Sequence, residues 1–241
     1  MKIITSVFLF LIFFLLFYGK VLAVSWYFPM DNYFERQSVK GFGEYIDDNY
    51  YIGKEKLFPY NKFYGYHSGV DLEIFNNELN KKVPVYAIYS GKILFIGIVS
   101  GYGGVILLNI DGENKTALYG HIKINDLKYK VNDKVSSGEI LTYLGDAFSN
   151  ETGRERKHLH FAIYKGNDLY FRGYEDTLLR INEKWEDPNI FLEKKGAILQ
   201  GTALSPTIKI KEKGISQNSI ASSEKGFFQI ISDWLKKTFK L

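Results

Sequence analysis

The chain reads as an all-β protein, a compact antiparallel sandwich or roll with a short helix at its C-terminal end. Three observations point there. Aromatic residues are abundant, with 18 Tyr and 19 Phe among 241 residues, and they suit pleated surfaces. From about residue 66 to 170 the chain runs in short β-branched or aromatic stretches, at 83–89, 92–99, 105–110, 116–120, 140–144 and 159–164. Turn chemistry separates them: Ser90-Gly91, Gly101-Tyr102-Gly103-Gly104, Asp111-Gly112, Ser136-Ser137-Gly138 and Lys165-Gly166-Asn167-Asp168. Asp111-Gly112 between two apolar runs is a hairpin signal, and no stretch of that region carries a helical stripe.

The flanks differ from this core. Lys2 precedes an apolar run from Ile3 to Tyr18, followed by Gly19-Lys20-Val21-Leu22-Ala23. Residues 1–23 therefore read as a secretory signal peptide cut after Ala23, or as an uncleaved N-terminal membrane anchor. Both place the remainder outside the cytoplasm: periplasm, cell envelope or extracellular space. Residues 24–65 form an aromatic-rich region belonging to the same module as 66–195. Residues 196–225, rich in Ser, Lys and Thr, read as a polar linker. Residues 226–241 carry Phe227, Ile230, Ile231, Trp234, Leu235 and Phe239 at helical spacing, with Lys236, Lys237 and Lys240 beside them. Such an amphipathic helix could contact an anionic membrane surface, or fold back and cover apolar surface of the main domain.

Composition removes several functional classes. There is no cysteine, so disulfides, thiolate-bound zinc, iron–sulfur clusters, a thiol nucleophile and a lipidated N-terminal cysteine are excluded. The net charge of +4 falls to +2 without Lys2 and Lys20, and no basic run offers a nucleic-acid surface. No His-Glu-x-x-His helix, Gly-x-Ser-x-Gly elbow or P-loop is present.

Only four histidines occur, His67, His121, His158 and His160. His158-Leu159-His160 opens an apolar strand, so both imidazoles project to one face. His67-Ser68-Gly69-Val70-Asp71 looks like a strand entered from a loop, which would bring His67 and Asp71 to a common face by the period of two. His121 ends the run Tyr119-Gly120-His121. Each alone reads at least as well as an ordinary polar side chain, the His67 and Asp71 pair more so. Together they can furnish a catalytic zinc site, in which three protein ligands leave a position for water. His67, Asp71 and His160 can provide the three, leaving His121 and His158 to handle protons or stabilise charge.

At these residues the chain resembles the lysostaphin-type, or LytM-type, zinc endopeptidases. The ordered match runs through His67-Ser68-Gly69-Val70-Asp71, Val85-Tyr86-Ala87, Ser90-Gly91-Lys92-Ile93 and Gly101-Tyr102-Gly103. It continues through Tyr119-Gly120-His121, Val135-Ser136-Ser137-Gly138-Glu139-Ile140, Leu144-Gly145 and His158-Leu159-His160-Phe161, covering roughly residues 42–192. The resemblance implies a LytM-type (duplicated hybrid motif) β-fold with a substrate groove and one zinc per chain held by His67, Asp71 and His160. It implies that His121 and His158 position the attacking water and stabilise the oxyanion. It also implies a metalloendopeptidase that hydrolyses peptide cross-links of bacterial peptidoglycan, in stem peptides or cross-bridges. A catalytically silent LytM-like activator of another hydrolase, or a wall-binding module, is the alternative. One stretch departs from the family pattern: where a short Thr-Gly-Pro-like turn leads into the His-Leu-His strand, this chain has the charged run Asn150 to Lys157. The aromatic run Tyr60, Phe63, Tyr64 and Tyr66 could wall the groove or pack within its loop.

Overall fold

The computed structural model describes residues 25–36, 38–54, 62–125 and 127–201. The export segment 1–23, the C-terminal helix of 226–241, most of the 196–225 linker and Tyr60 lie outside the described residues. Among those described, no helix is long and apolar enough to cross a membrane.

Among the described residues there are twelve strands: β1 Tyr45–Ile46, β2 Gly65–His67, β3 Val70–Glu73, β4 Pro84–Tyr86, β5 Gly91–Val99, β6 Gly103–Ile110, β7 Thr116–Gly120, β8 Lys134–Val135, β9 Ile140–Tyr143, β10 His158–Tyr164, β11 Tyr174–Glu175 and β12 Trp185–Glu186. Every pairing between them is antiparallel. The main sheet has seven strands in the order β12-β10-β7-β6-β5-β8, with β3 also paired to β10. A three-stranded sheet, β1-β2-β11, and a two-stranded one, β4-β9, flank it. The antiparallel all-β fold expected from the turn pattern is what the chain adopts.

Alternation explains why the main sheet holds its place. Ile106, Leu108 and Ile110 of β6, Ala117 and Tyr119 of β7, and Leu159, Phe161 and Ile163 of β10 face one apolar core. Val85 of β4 and Leu141 of β9 close that layer from the far side, and Phe28 and Tyr33 of the N-terminal region join it. The intervening residues, Val105, Leu107, Leu118, Ala162 and Tyr164, face a second, smaller cluster completed by Trp185 and Ile181. With both faces covered, all seven residues of β10 are buried. Fully burying a side chain the size of Phe161 contributes about 1.5–3 kcal/mol. The central strand is therefore anchored from two directions.

Two helices follow the last long strand, beyond the turn-rich region 66–170. Leu178–Lys184 starts at Thr177, whose hydroxyl accepts from the Arg180 amide. Pro188–Lys194 has Asp187 as N-cap and Pro188 in its first turn, where a missing N–H costs nothing. Each is only seven residues long, too short for a periodic stripe to show in the sequence.

Candidate metal centre and pocket

The register of β10 assembles half of the site. His160 lies opposite Asp71 of β3 on one side and opposite Gly120 of β7 on the other. Cross-strand partners share a face, so Asp71, Glu73, His158 and His160 project together on the side away from Leu72, Leu159 and Phe161. Gly69 and Gly120 leave the space His160 occupies. A Cβ on Gly69 would lie 2.4 Å from the Phe161 carbonyl oxygen and 3.0 Å from His160 Nε2. On Gly120 it would meet the Tyr102 ring at 2.6 Å.

His67 arrives differently from the single-strand reading of His67 to Asp71. The chain breaks at Ser68-Gly69, so His67 ends β2 in the three-stranded sheet while Asp71 lies in β3 of the main sheet. The Ser68 amide donates to the Gly173 carbonyl and its hydroxyl to the Arg172 carbonyl, which hold the break in place. The side chains still converge, through a corner between sheets instead of a shared strand face.

The convergence is tight. His67 Nε2 is 3.0 Å from His160 Nδ1 and 3.3 Å from Asp71 Oδ1, and His160 Nδ1 is 3.1 Å from the same oxygen. Tetrahedral zinc with bonds of about 2.0–2.1 Å requires ligand atoms about 3.3 Å apart. The triangle of two imidazole nitrogens and one carboxylate oxygen therefore has the size and donor chemistry that zinc takes. All three residues are buried. Metal ligation needs neutral imidazole and ionised carboxylate, and the surroundings favour both. Burial pushes the His160 imidazole down to about 4, against the pull of Asp71. Burial would raise the Asp71 carboxyl, but the imidazoles of His67, His158 and His160 outweigh it and hold the group well below the usual carboxylate range.

Backbone carbonyls then fix which nitrogen each ring leaves open. A carbonyl only accepts, so the ring nitrogen facing it carries the proton. His67 Nδ1 donates to the Gly41 carbonyl at 3.1 Å, leaving Nε2 for the triangle. His121 Nδ1 donates to Thr152 at 2.9 Å and His158 Nδ1 to Arg156 at 2.8 Å. In His121, which burial keeps neutral, Nε2 then keeps its lone pair. His160 Nε2 meets the Tyr102 hydroxyl at 3.3 Å, which suits a ring whose Nδ1 serves as donor atom.

His121 and His158 stand beside the triangle, their ring centroids 4.2 Å apart. His158 Nε2 reaches to 3.5 Å from Asp71 Oδ2. His121 follows the last residue of β7 in a left-handed conformation, φ 61°, held by its amide on the Tyr102 carbonyl and its carbonyl on the Gly145 amide. Burial, then the neighbouring His158, pushes its imidazole well below its ordinary value, so it is neutral and able to accept a proton.

The five residues line a pocket of about 300 Å³ whose walls include Lys40, Phe63, Tyr102, Glu155, Arg172 and Tyr174. Of the aromatic run, Phe63 reaches the pocket wall, Tyr66 packs on Tyr45 at 4.8 Å, and the half-exposed Tyr64 bonds Asp48. The charged run Asn150 to Lys157 turns inward. Glu151, Glu155, Arg156 and Lys157 are all buried. Arg156 bonds Asp71 and Glu73, and Lys157 donates to the carbonyls of Leu79 and Lys81. Glu155 has neither carboxylate oxygen in a hydrogen bond among the described residues. Burial pushes its pKa up although Lys40, His158 and Arg156 pull the other way. Sequence reasoning had not named Lys40 or Tyr102 as site residues, and it had set the charged run 150–157 at the border of the site without the partners of Arg156, which lie 83 and 85 positions away.

Fold and site together define an antiparallel β-protein with a buried His-Asp-His triangle and two further histidines at the floor of a pocket. Residues 65–171 match the model of Peptidase family M23. The chain is 26% identical over 135 residues to Endolysin 2638A of Staphylococcus phage 2638A, a match that spans 52% of this chain and 26% of the endolysin. It thus corresponds to about a quarter of that relative's length. Among solved structures, LytU aligns at 25% identity and TM-score 0.44 over 66% of this chain and 86% of LytU. The catalytic domain of the antimicrobial peptidase lysostaphin from Staphylococcus simulans aligns at 25% and 0.45, over 66% and 93%.

Proposed function

We propose that the chain is a zinc-dependent endopeptidase that cuts peptide cross-links of bacterial peptidoglycan. The observation that carries this reading is the zinc-sized triangle of His67 Nε2, Asp71 Oδ1 and His160 Nδ1 beside two further buried histidines, His121 and His158. The match of residues 65–171 to Peptidase family M23 supports peptidase chemistry, and the endolysin relative supports a wall substrate. The apolar segment 1–23 supports action outside the cytoplasm.

Zinc in this site would supply Lewis acidity to a scissile carbonyl and bring the pKa of water to about 7. His67, Asp71 and His160 would hold the ion, one per chain. His121, with Nδ1 committed to Thr152, would take the proton from the attacking water at Nε2 and return it to the leaving amine. His158, with Nδ1 committed to Arg156, would aim Nε2 at the developing oxyanion and, once protonated, donate to it. The presence of all five residues favours catalysis over the silent-activator reading.

The test is digestion of purified walls from several bacterial types by the zinc-loaded protein, with released peptides identified by mass spectrometry. New amino termini that vanish on chelation and return with zinc are the expected result. Wall binding without any cleaved peptide bond would overturn the proposal in favour of the silent module.

A further inference from the structure

Asp71 offers the metal triangle one oxygen and keeps the other occupied. Its Oδ2 lies 3.2 Å from Arg156 Nη2 and 3.8 Å from Lys40 Nζ. The same guanidinium grips Glu73, with Nε at 2.9 and 3.1 Å from its two oxygens and Nη2 at 2.6 Å from Oε1. Asp71 and Glu73 are two apart on β3 and face the same way, so a planar fork fits across both where a single ammonium does not. Arg156 is itself buried, its third nitrogen 3.6 Å from Glu155. A buried guanidinium with this many charged partners is held to one geometry.

We propose that Arg156 is a positioning residue for the metal site: its guanidinium, braced on Glu73, holds Asp71 Oδ2 so that Oδ1 alone faces His67 and His160. This rests on the reading of His67, Asp71 and His160 as zinc ligands. The carboxylate is thereby set to bind through one oxygen, and the strand carrying it is tied to the segment that leads into β10. The charged run that departs from the family pattern acts on the ion through Asp71, behind the ligands.

The experiment measures zinc affinity by chelator competition, and the absorption spectrum of the cobalt-substituted protein, for wild type, Arg156→Met and Arg156→Lys. Outer partners of metal ligands typically govern affinity by about 10–100-fold. Arg156→Met is expected to lose affinity in that range. At saturating cobalt its ligand-field bands should shift, a change that loss of general stability would not produce. Arg156→Lys keeps the charge but not the span, and is expected to fall between the two. Equal affinity and an identical cobalt spectrum in a folded Arg156→Met would overturn the proposal. Should that variant not fold, Arg156→Lys decides: wild-type affinity and spectrum overturn it, a several-fold loss supports it. Failure of the wild type to bind zinc would instead sink the metal reading beneath it.

Discussion

The two faces of β10 carry opposite chemistry within one strand. One presents Leu159, Phe161 and Ile163 to the larger apolar core; the other presents His158 and His160 to the pocket, then Ala162 and Tyr164 to the second cluster. Both are buried, so exposure does not distinguish them. What differs is how each is satisfied. The apolar face needs only contact, which many shapes supply. The histidine face needs polar partners, and for His158 and His160 those come from Asp71, Tyr102 and Arg156. Phe161 fixes the strand, and the strand fixes His160 to within the tolerance a ligand triangle demands.

The sharpest way to break this contrast is to exchange one residue from each group on the pocket face. His160→Ala should empty the metal site and abolish turnover. His121→Ala should keep one zinc per chain and lose about 10²–10⁴-fold in kcat. Metal content and activity measured on the same preparations decide the roles. A His121→Ala protein without zinc would dissolve the distinction between ligand and proton carrier.

On the apolar face the expected cost is stability. Phe161→Ala should lower unfolding free energy by about 3–5 kcal/mol while the remaining folded fraction still binds zinc. Denaturant titration with metal analysis checks both, and loss of zinc from fully folded variant would show that the faces are not separable.

A third test uses pH on the zinc-free protein. The folded His160 pKa of about 4 lies below its unfolded value of about 6.5, so the unfolded chain binds more protons between them. Stability from this group is complete above pH 6.5, declines as pH falls toward 4, and is flat below. The loss amounts to about 3 kcal/mol, since each unit corresponds to about 1.4 kcal/mol. His121, shifted the same way, adds to it. Thermal unfolding of His160→Gln and wild type in chelator should show the steeper acid slope in wild type; parallel slopes would contradict it.

The smallest effect concerns Glu155. Its pKa is raised in the fold, so ionisation of this carboxyl works against the folded state, and a neutral amide should suit the position better. Glu155→Gln should leave stability unchanged or raise it by about 1 kcal/mol. A marked fall in Tm would mean the carboxylate has a partner that matters more than its burial costs.

Much of this was legible in the sequence, for identifiable reasons. β7 begins and ends where its β-branched and aromatic run does, because Asp111-Gly112 and Gly120 punctuate it. His158 and His160 share a face because a strand's period permits nothing else. The break at Ser68-Gly69 was not legible: Val70 and Leu72 continue an alternation that the chain in fact resumes in another sheet. Nor was the inward turn of Arg156 and Lys157. Charged residues read as solvated until their partners are known, and Glu73, Leu79 and Lys81 are distant in sequence.

The segment before β10 limits how modular such a domain can be. Thr152 supplies the carbonyl that sets the proton on His121, Arg156 supplies the one that sets it on His158, and the Arg156 side chain grips Asp71. Loops at a pocket's edge are the usual targets for transplanting specificity between homologues. Here a graft of residues 150–157 would carry away two tautomer locks and a carboxylate brace along with any substrate contacts. A chimera made at this loop would change what the histidines can do before it changed what they act upon.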